Sequence, residues 1–200
     1  MKKIIACSIG QTSTERSAMV WGYHIPETKR SKFVQSPNLR GRSFSQVVEI
    51  EKENYQIIDY FIGQDIKEKI KEVIKEFFGV EKGIFRINPG GASNEIIEEI
   101  RDFVTVHKCR FEIEKFKSND FADDQSRIYF YLNKLFKEGL IKIPNIPELE
   151  SQLDKIEWIV EEGKDKVVLP EENQEFVKAL INFTWTGGFA FAFLDIRRKR

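Results

Sequence analysis

IIACSIGQTSTERSAMVWGYHI, residues 4–25, is the stretch that decides the fold. Ile4 to Ile9 is a continuous apolar run closed by Gly10. A strand with one wet face alternates apolar and polar residues, whereas an unbroken run reads as a strand covered on both faces. Ser17 to Ile25 (SAMVWGYHI) is a second strand, ended by Pro26. Two early strands in immediate succession call for a sheet whose first members are neighbours.

Further out, residues 26–43 read as a polar, basic loop punctuated by Pro26, Pro37 and Gly41. Phe44 to Glu51 alternates and predicts a third strand, and Ile57 to Ile62 extends that sheet or leads into the next helix. Residues 64–79 predict a helix, because Ile66, Ile70, Val73, Ile74, Phe77 and Phe78 recur at three- and four-residue steps before Gly79. Ile84 to Ile87 is a short strand running into Asn88-Pro89-Gly90-Gly91. A helix follows with Ile96, Ile97, Ile100, Phe103 and Val104 on one face, then a strand over Arg110–Phe116. A helix spans 121–138, a brief extended piece Leu140–Pro144, a short helix Pro147–Leu153 and a hairpin Glu157–Val160 with Lys166–Leu169. The last helix covers Pro170–Thr186, with proline suited to its start. Adjacent strands first, then strands alternating with helices, predict an α/β protein with a mixed sheet flanked by helices, in one domain over 1–200.

The chain has 200 residues, 41% of them apolar and 32% charged, the balance of an ordinary soluble protein, and 17 Phe promise an aromatic core. Net charge is zero, so overall charge predicts no partner, but its distribution is uneven. Residues 1–43 hold eight basic side chains against Glu15 and Glu27, a net +6, and the tail Arg197-Arg198-Lys199-Arg200 adds four. Lys29, Arg30, Lys32, Arg40 and Arg42 could hold a DNA backbone, positioning it without reading sequence. The plainer reading of both stretches is a solvated loop and a solvated tail. Cys7 and Cys109 lack disulfide or metal spacing and predict buried thiols in a reducing compartment. Trp21, Trp158 and Trp185 sit in apolar stretches and predict core positions. No signal peptide is evident, and Phe189 to Leu194 is too short to span a bilayer, so no membrane partner is expected.

Three places could carry chemistry: Cys7-Ser8-Ile9-Gly10 ending the first strand, Ile87-Asn88-Pro89-Gly90-Gly91 between strand and helix, and Glu171 to Leu180 opening the last helix. Their order and spacing resemble the nuclease domain of viral terminase large subunits, of the ribonuclease-H-like superfamily. That family has Asp-x-Gly at the first place, Ile-Asp-x-x-Gly-x-Gly-like residues at the second and His-Asp-Asp-x-x-Asp-Ala-Leu-like residues at the third. Arg127 to Pro144 (RIYFYLNKLFKEGLIKIP) and Leu149 to Leu169 resemble its intervening segments. The resemblance implies a ribonuclease-H-like mixed sheet flanked by helices, and metal-dependent DNA hydrolysis in viral DNA packaging.

The departures are as informative. Ser8 and Asn88 stand where the family has acids, and Asn173 marks the third place. Glu175, with Glu172 a turn earlier, is left as the catalytic candidate. A two-metal phosphodiesterase needs charged oxygen ligands to offset two dications. The expectation is therefore a DNA-associated domain with nuclease activity lost or impaired, holding no cofactor or only weakly bound Mg²⁺ or Mn²⁺, in the cytoplasm of an infected host cell. Two alternatives stand beside it. One is a structural module binding a protein partner through residues 183–193 (FTWTGGFAFAF); the other is an active resolvase-like or terminase-like endonuclease. Asp120, Asp123 and Asp124 read as helix caps rather than ligands, Glu95, Glu98 and Glu99 as a solvated helix face, and Asn88-Pro-Gly-Gly equally as a turn that needs glycine.

Overall fold

The computed structural model describes residues 1–10, 16–35, 44–78, 82–87, 91–115, 125–161, 164–168 and 174–184. Its centre is β1 (Lys2–Ser8). On one side β1 pairs antiparallel with β2 (Ser17–Ile25), and β2 in turn with β5 (Asn54–Gly63). On the other side β1 runs parallel to β6 (Gly83–Ile87), and β6 to β7 (Phe111–Lys115). The two-residue β8 (Ile141–Lys142) lies parallel to β5, completing a mixed six-stranded sheet in the order β7-β6-β1-β2-β5-β8.

Helices cover both faces, which is why β1 reads as an unbroken apolar run. Period-two alternation sends Ile4 and Ala6 to one face, where α3 (Gln125–Lys137), α4 (Pro147–Leu153) and α5 (Glu175–Thr184) pack. Ile5 and Cys7 go to the other face, against α1 (Ile66–Val73) and α2 (Gly91–Val106). Phe85, Phe176 and Phe183 are fully buried, each worth about 1.5–3 kcal/mol relative to an exposed ring. Trp21 is buried as expected. Cys7 is fully buried, and its thiol is pushed well above the ordinary range by desolvation; Cys109 is only half-buried. The side chain of Trp158, and all of Trp185, fall outside what is described. No helix among the described residues is long and apolar enough to cross a membrane.

Gly22 is demanded by packing. The ladder of β2 with β5 shifts between Trp21 and Gly22, so that Ile58 is left without a partner. A Cβ at residue 22 would lie 2.0 Å from the carbonyl oxygen of Gln56.

Three expectations change. The helix read over 64–79 is an α-helix only through Val73, and Ile74–Phe78 continue as a π-helical turn. Lys3 Nζ donates to the carbonyl of Phe77 at 2.7 Å and lies over its ring, a contact from outside the helix that holds the widened turn. Second, part of the expected basic loop 26–43 is regular: β3 (Thr28–Gln35) pairs antiparallel with β4 (Phe44–Glu51), while 36–43 lie outside the described residues. Third, β4 belongs to this separate two-stranded ribbon and not to the main sheet. The ribbon keeps step with the sheet: Ile25 pairs with Asn54 and Thr28 with Glu51, so two residues intervene on each strand. Pro26 has no N–H to donate, and the ladder breaks there. Residues 157–168 form the expected hairpin, β9 (Glu157–Glu161) with β10 (Lys164–Val168).

Candidate functional site

The sheet has a distinct upper end, where β1 and β6 stop side by side. Ser8 closes β1, opposite Ala18, and is 2% exposed. By the alternation of Ile4 and Ala6, Ser8 belongs to the face covered by α5. Cys7 is the register partner of Ile87, so β6 ends beside the last residues of β1. Asn88 itself, like Glu172 and Asn173, is outside the described residues.

Glu175 opens α5, and α5 lies across β1 and β2. Its first turn is capped from a neighbouring helix: Gln152 Oε1 of α4 accepts from the amides of Phe176 and Val177, both at 3.1 Å. Its last turn is capped from the sheet. Arg86, 5% exposed, donates to the carbonyls of Phe183 at 2.9 Å and Asn182 at 3.4 Å, and its Nε pairs with Glu114 at 2.7 Å. Cationic donors suit the negative end of the helix dipole. Asn182 Nδ2 donates to the carbonyl of Cys7 at 2.8 Å, which ties α5 to β1 one residue before Ser8.

A cleft of about 330 Å³ opens at the start of α5, lined by Arg16, Ile62, Glu148, Gln152 and Glu175. Arg16 precedes Ser17, and Ser17 pairs with Gly63, so the cleft sits at the same end of the sheet as Ser8. Ser8 does not line it. Tyr60, edge-on to Phe176 at 5.5 Å, has its phenol raised by desolvation first and then by the neighbouring carboxylates of Glu148 and Asp59. Sequence reasoning singled out Glu175 but not Glu148, Arg16 or Gln152. Nothing local marks them, since only the docking of α4 against α5 brings residues 148 and 152 to the cleft.

Among the described residues the cleft offers two carboxylates and a guanidinium, too few anionic oxygens for a pair of divalent ions. Among the described residues no group of three or more His, Cys, Asp or Glu is gathered closely enough to hold a metal ion.

The basic candidates lie elsewhere. Lys29, Arg30 and Lys32 are on β3, in the ribbon that leaves the sheet beside Lys2, the end opposite Ser8. Lys29 is exposed and pairs with Glu27 at 3.4 Å, and Arg30 has Glu49 as its register partner. Arg40, Arg42 and the tail 197–200 are outside the described residues. Of the stretch 183–193 considered for a protein partner, Phe183 and Thr184 are buried in α5 and unavailable to one, and 185–193 are outside the described residues.

A second polar cluster sits at that lower end. His24 Nε2 lies 2.5 Å from Glu53 Oε1, His24 stacks on Tyr55 with ring centroids 4.9 Å apart, and His24 Nδ1 is buried without a hydrogen-bond partner. The hydrogen bond from His24 is the first cause that holds the Glu53 carboxyl below its ordinary value.

Fold and cleft together define an α/β protein with a helix-covered mixed sheet and a carboxylate-lined cleft at its upper end. Compared with protein-family models, with curated proteins and with solved structures, the chain matches none.

Proposed function

We propose that the chain is a DNA-associated, ribonuclease-H-like domain related to viral terminase nucleases, in which metal-dependent cleavage is lost or impaired. The observation that carries the reading is the upper end of the sheet: its central strand ends on the buried hydroxyl of Ser8, where the resemblance expects an acid. The order of the sheet is compatible with a ribonuclease-H-like arrangement. In support, Glu175 lines a cleft at the same end of the sheet as Ser8, and β6 ends beside β1. A neutral hydroxyl and a neutral carboxamide keep oxygen atoms there but supply no charge against a dication.

DNA would be held by its backbone, through Lys29, Arg30 and Lys32 of β3 together with Arg40 and Arg42. β1 is about 23 Å long, and β3 leaves the sheet at the end away from Ser8. The domain would act in the cytoplasm of an infected cell during DNA packaging.

The test has two arms. In calorimetry with Mn²⁺ the protein shows weak or no uptake, and Ser8→Asp with Asn88→Asp gains measurable affinity; tight binding of two ions by the unaltered protein, with Mn²⁺-dependent plasmid cleavage abolished by Glu175→Ala, would overturn the loss of catalysis. In DNA binding against salt, replacing Arg40 and Arg42 lowers the slope of log affinity on log salt by about 2. No measurable affinity at low salt removes the DNA-associated reading.

A further inference from the structure

We propose that the β3–β4 ribbon is an arm hinged at residues 26–27 and 52–53, and that the His24–Glu53 and Lys52–Glu138 pairs form the clasp that sets its angle to the sheet. The inference is independent of what the arm touches.

It begins with the break in the ladder. The register of β2 with β5 continues into that of β3 with β4 without a slip, so the two ladders are successive parts of one long hairpin. Continuous pairing would make that hairpin stiff. At the break, Pro26 offers no donor, and the chain passes between two separate sheets through two-residue links. Beyond the break, among the described residues, β3 and β4 pack chiefly on each other. Bending of the ribbon at the two links is opposed, among those residues, by what spans the links themselves.

Side chains span them. Glu53, in one link, reaches His24, the residue before Ile25 on the other strand. His24 is buried and held in place by its stack on Tyr55, so the contact is anchored in the body of the sheet. Lys52, the other residue of that link, pairs at 3.2 Å with Glu138 just beyond the end of α3. Asn54 Nδ2 donates to the carbonyl of Lys52 at 3.4 Å, and the amide of Tyr55 to that of Leu140 at 2.8 Å. The 52–53 link is thus tied to β2 and to the chain after α3, while Glu27, in the opposite link, pairs with Lys29 of the ribbon. Removing the ties from the 52–53 side should free the arm without touching the core of either ladder.

The test is a distance measurement by pulsed electron resonance. Spin labels are placed at Ser31→Cys on the arm and Asp102→Cys on exposed α2, with Cys109→Ser. The unaltered clasp should give one narrow distance distribution, and Glu53→Ala combined with Lys52→Ala should roughly double its width, as local opening does when few contacts oppose it. Should the double variant not fold, Glu53→Gln, which keeps an acceptor but removes the charge, should widen the distribution less and in the same sense. Equal widths before and after substitution would overturn the clasp, and so would a distribution already as broad in the unaltered protein.

Discussion

Gln152 is exposed by less than a tenth and belongs to a short helix, yet one of its oxygens satisfies two amides of another helix. Helix starts leave their first amides without internal partners, and here the preceding residue does not supply one. Gln174, which precedes α5, buries its own carboxamide with neither polar atom bonded. Replacing Gln152 by alanine therefore strands two buried donors, at a cost of about 1–3 kcal/mol. Urea unfolding should show a lower midpoint with an unchanged slope, and Gln152→Glu, which keeps the acceptor, should recover most of the loss. At this scale the sequence was legible where chemistry sits at the end of an element. The last helix, read from Pro170, begins at Glu175, whereas Ser8 could be assigned to a strand end from local pattern alone. Glu148 and Gln152 could not, because their part in the cleft comes from a contact between helices 24 and 25 residues apart in the chain at its closest bonds. The Gly22 position was equally silent, since its need arises from the backbone of β5.

Arg86 shows how one side chain can join elements. It leaves β6, closes the last turn of α5 and meets Glu114 of β7. Arg86→Ala would remove the donors from two buried carbonyls and free a half-exposed carboxylate, at a cost of about 3 kcal/mol, the lower part of the range for breaking a buried pair. Arg86→Lys should restore only part of this, because an ammonium cannot reproduce the forked geometry. Thermal melts of the three proteins check the order. Elements were legible where apolar periodicity was strong, as in α1, α2 and β1. β3 was not, because Thr28–Gln35 holds only Phe33 and Val34 as apolar residues, and the strand exists through its pairing with β4. The π-helical turn was also hidden. Steps of three and four residues fit an α-helix equally well, and the carbonyl of Phe77 in this turn accepts from Lys3, 74 residues away.

Across the whole molecule, the aromatic core makes stability depend on alkaline pH. Burial pushes Tyr129 and Tyr131 up to about 12, and Tyr55 higher still. A phenol raised in the folded state contributes stability below its unfolded value, about 10, and loses it as pH climbs toward the folded value, because the unfolded chain ionises first. Stability should therefore fall between pH 10 and 12 in denaturant titrations, and Tyr55→Phe should make that fall shallower. Unchanged stability over this range would contradict the burial of these rings.

The two cysteines, placed so differently, turn the molecule into its own unfolding reporter. Cys109 lies half-open at the end of α2, whereas Cys7 is sealed within the central strand with its thiolate disfavoured. Thiolate, and access to it, govern alkylation. Iodoacetamide at mildly alkaline pH should alkylate Cys109 first and leave Cys7 intact until the central sheet opens. Mass spectrometry of the second adduct would then count global openings directly, at a site where no probe has to be engineered.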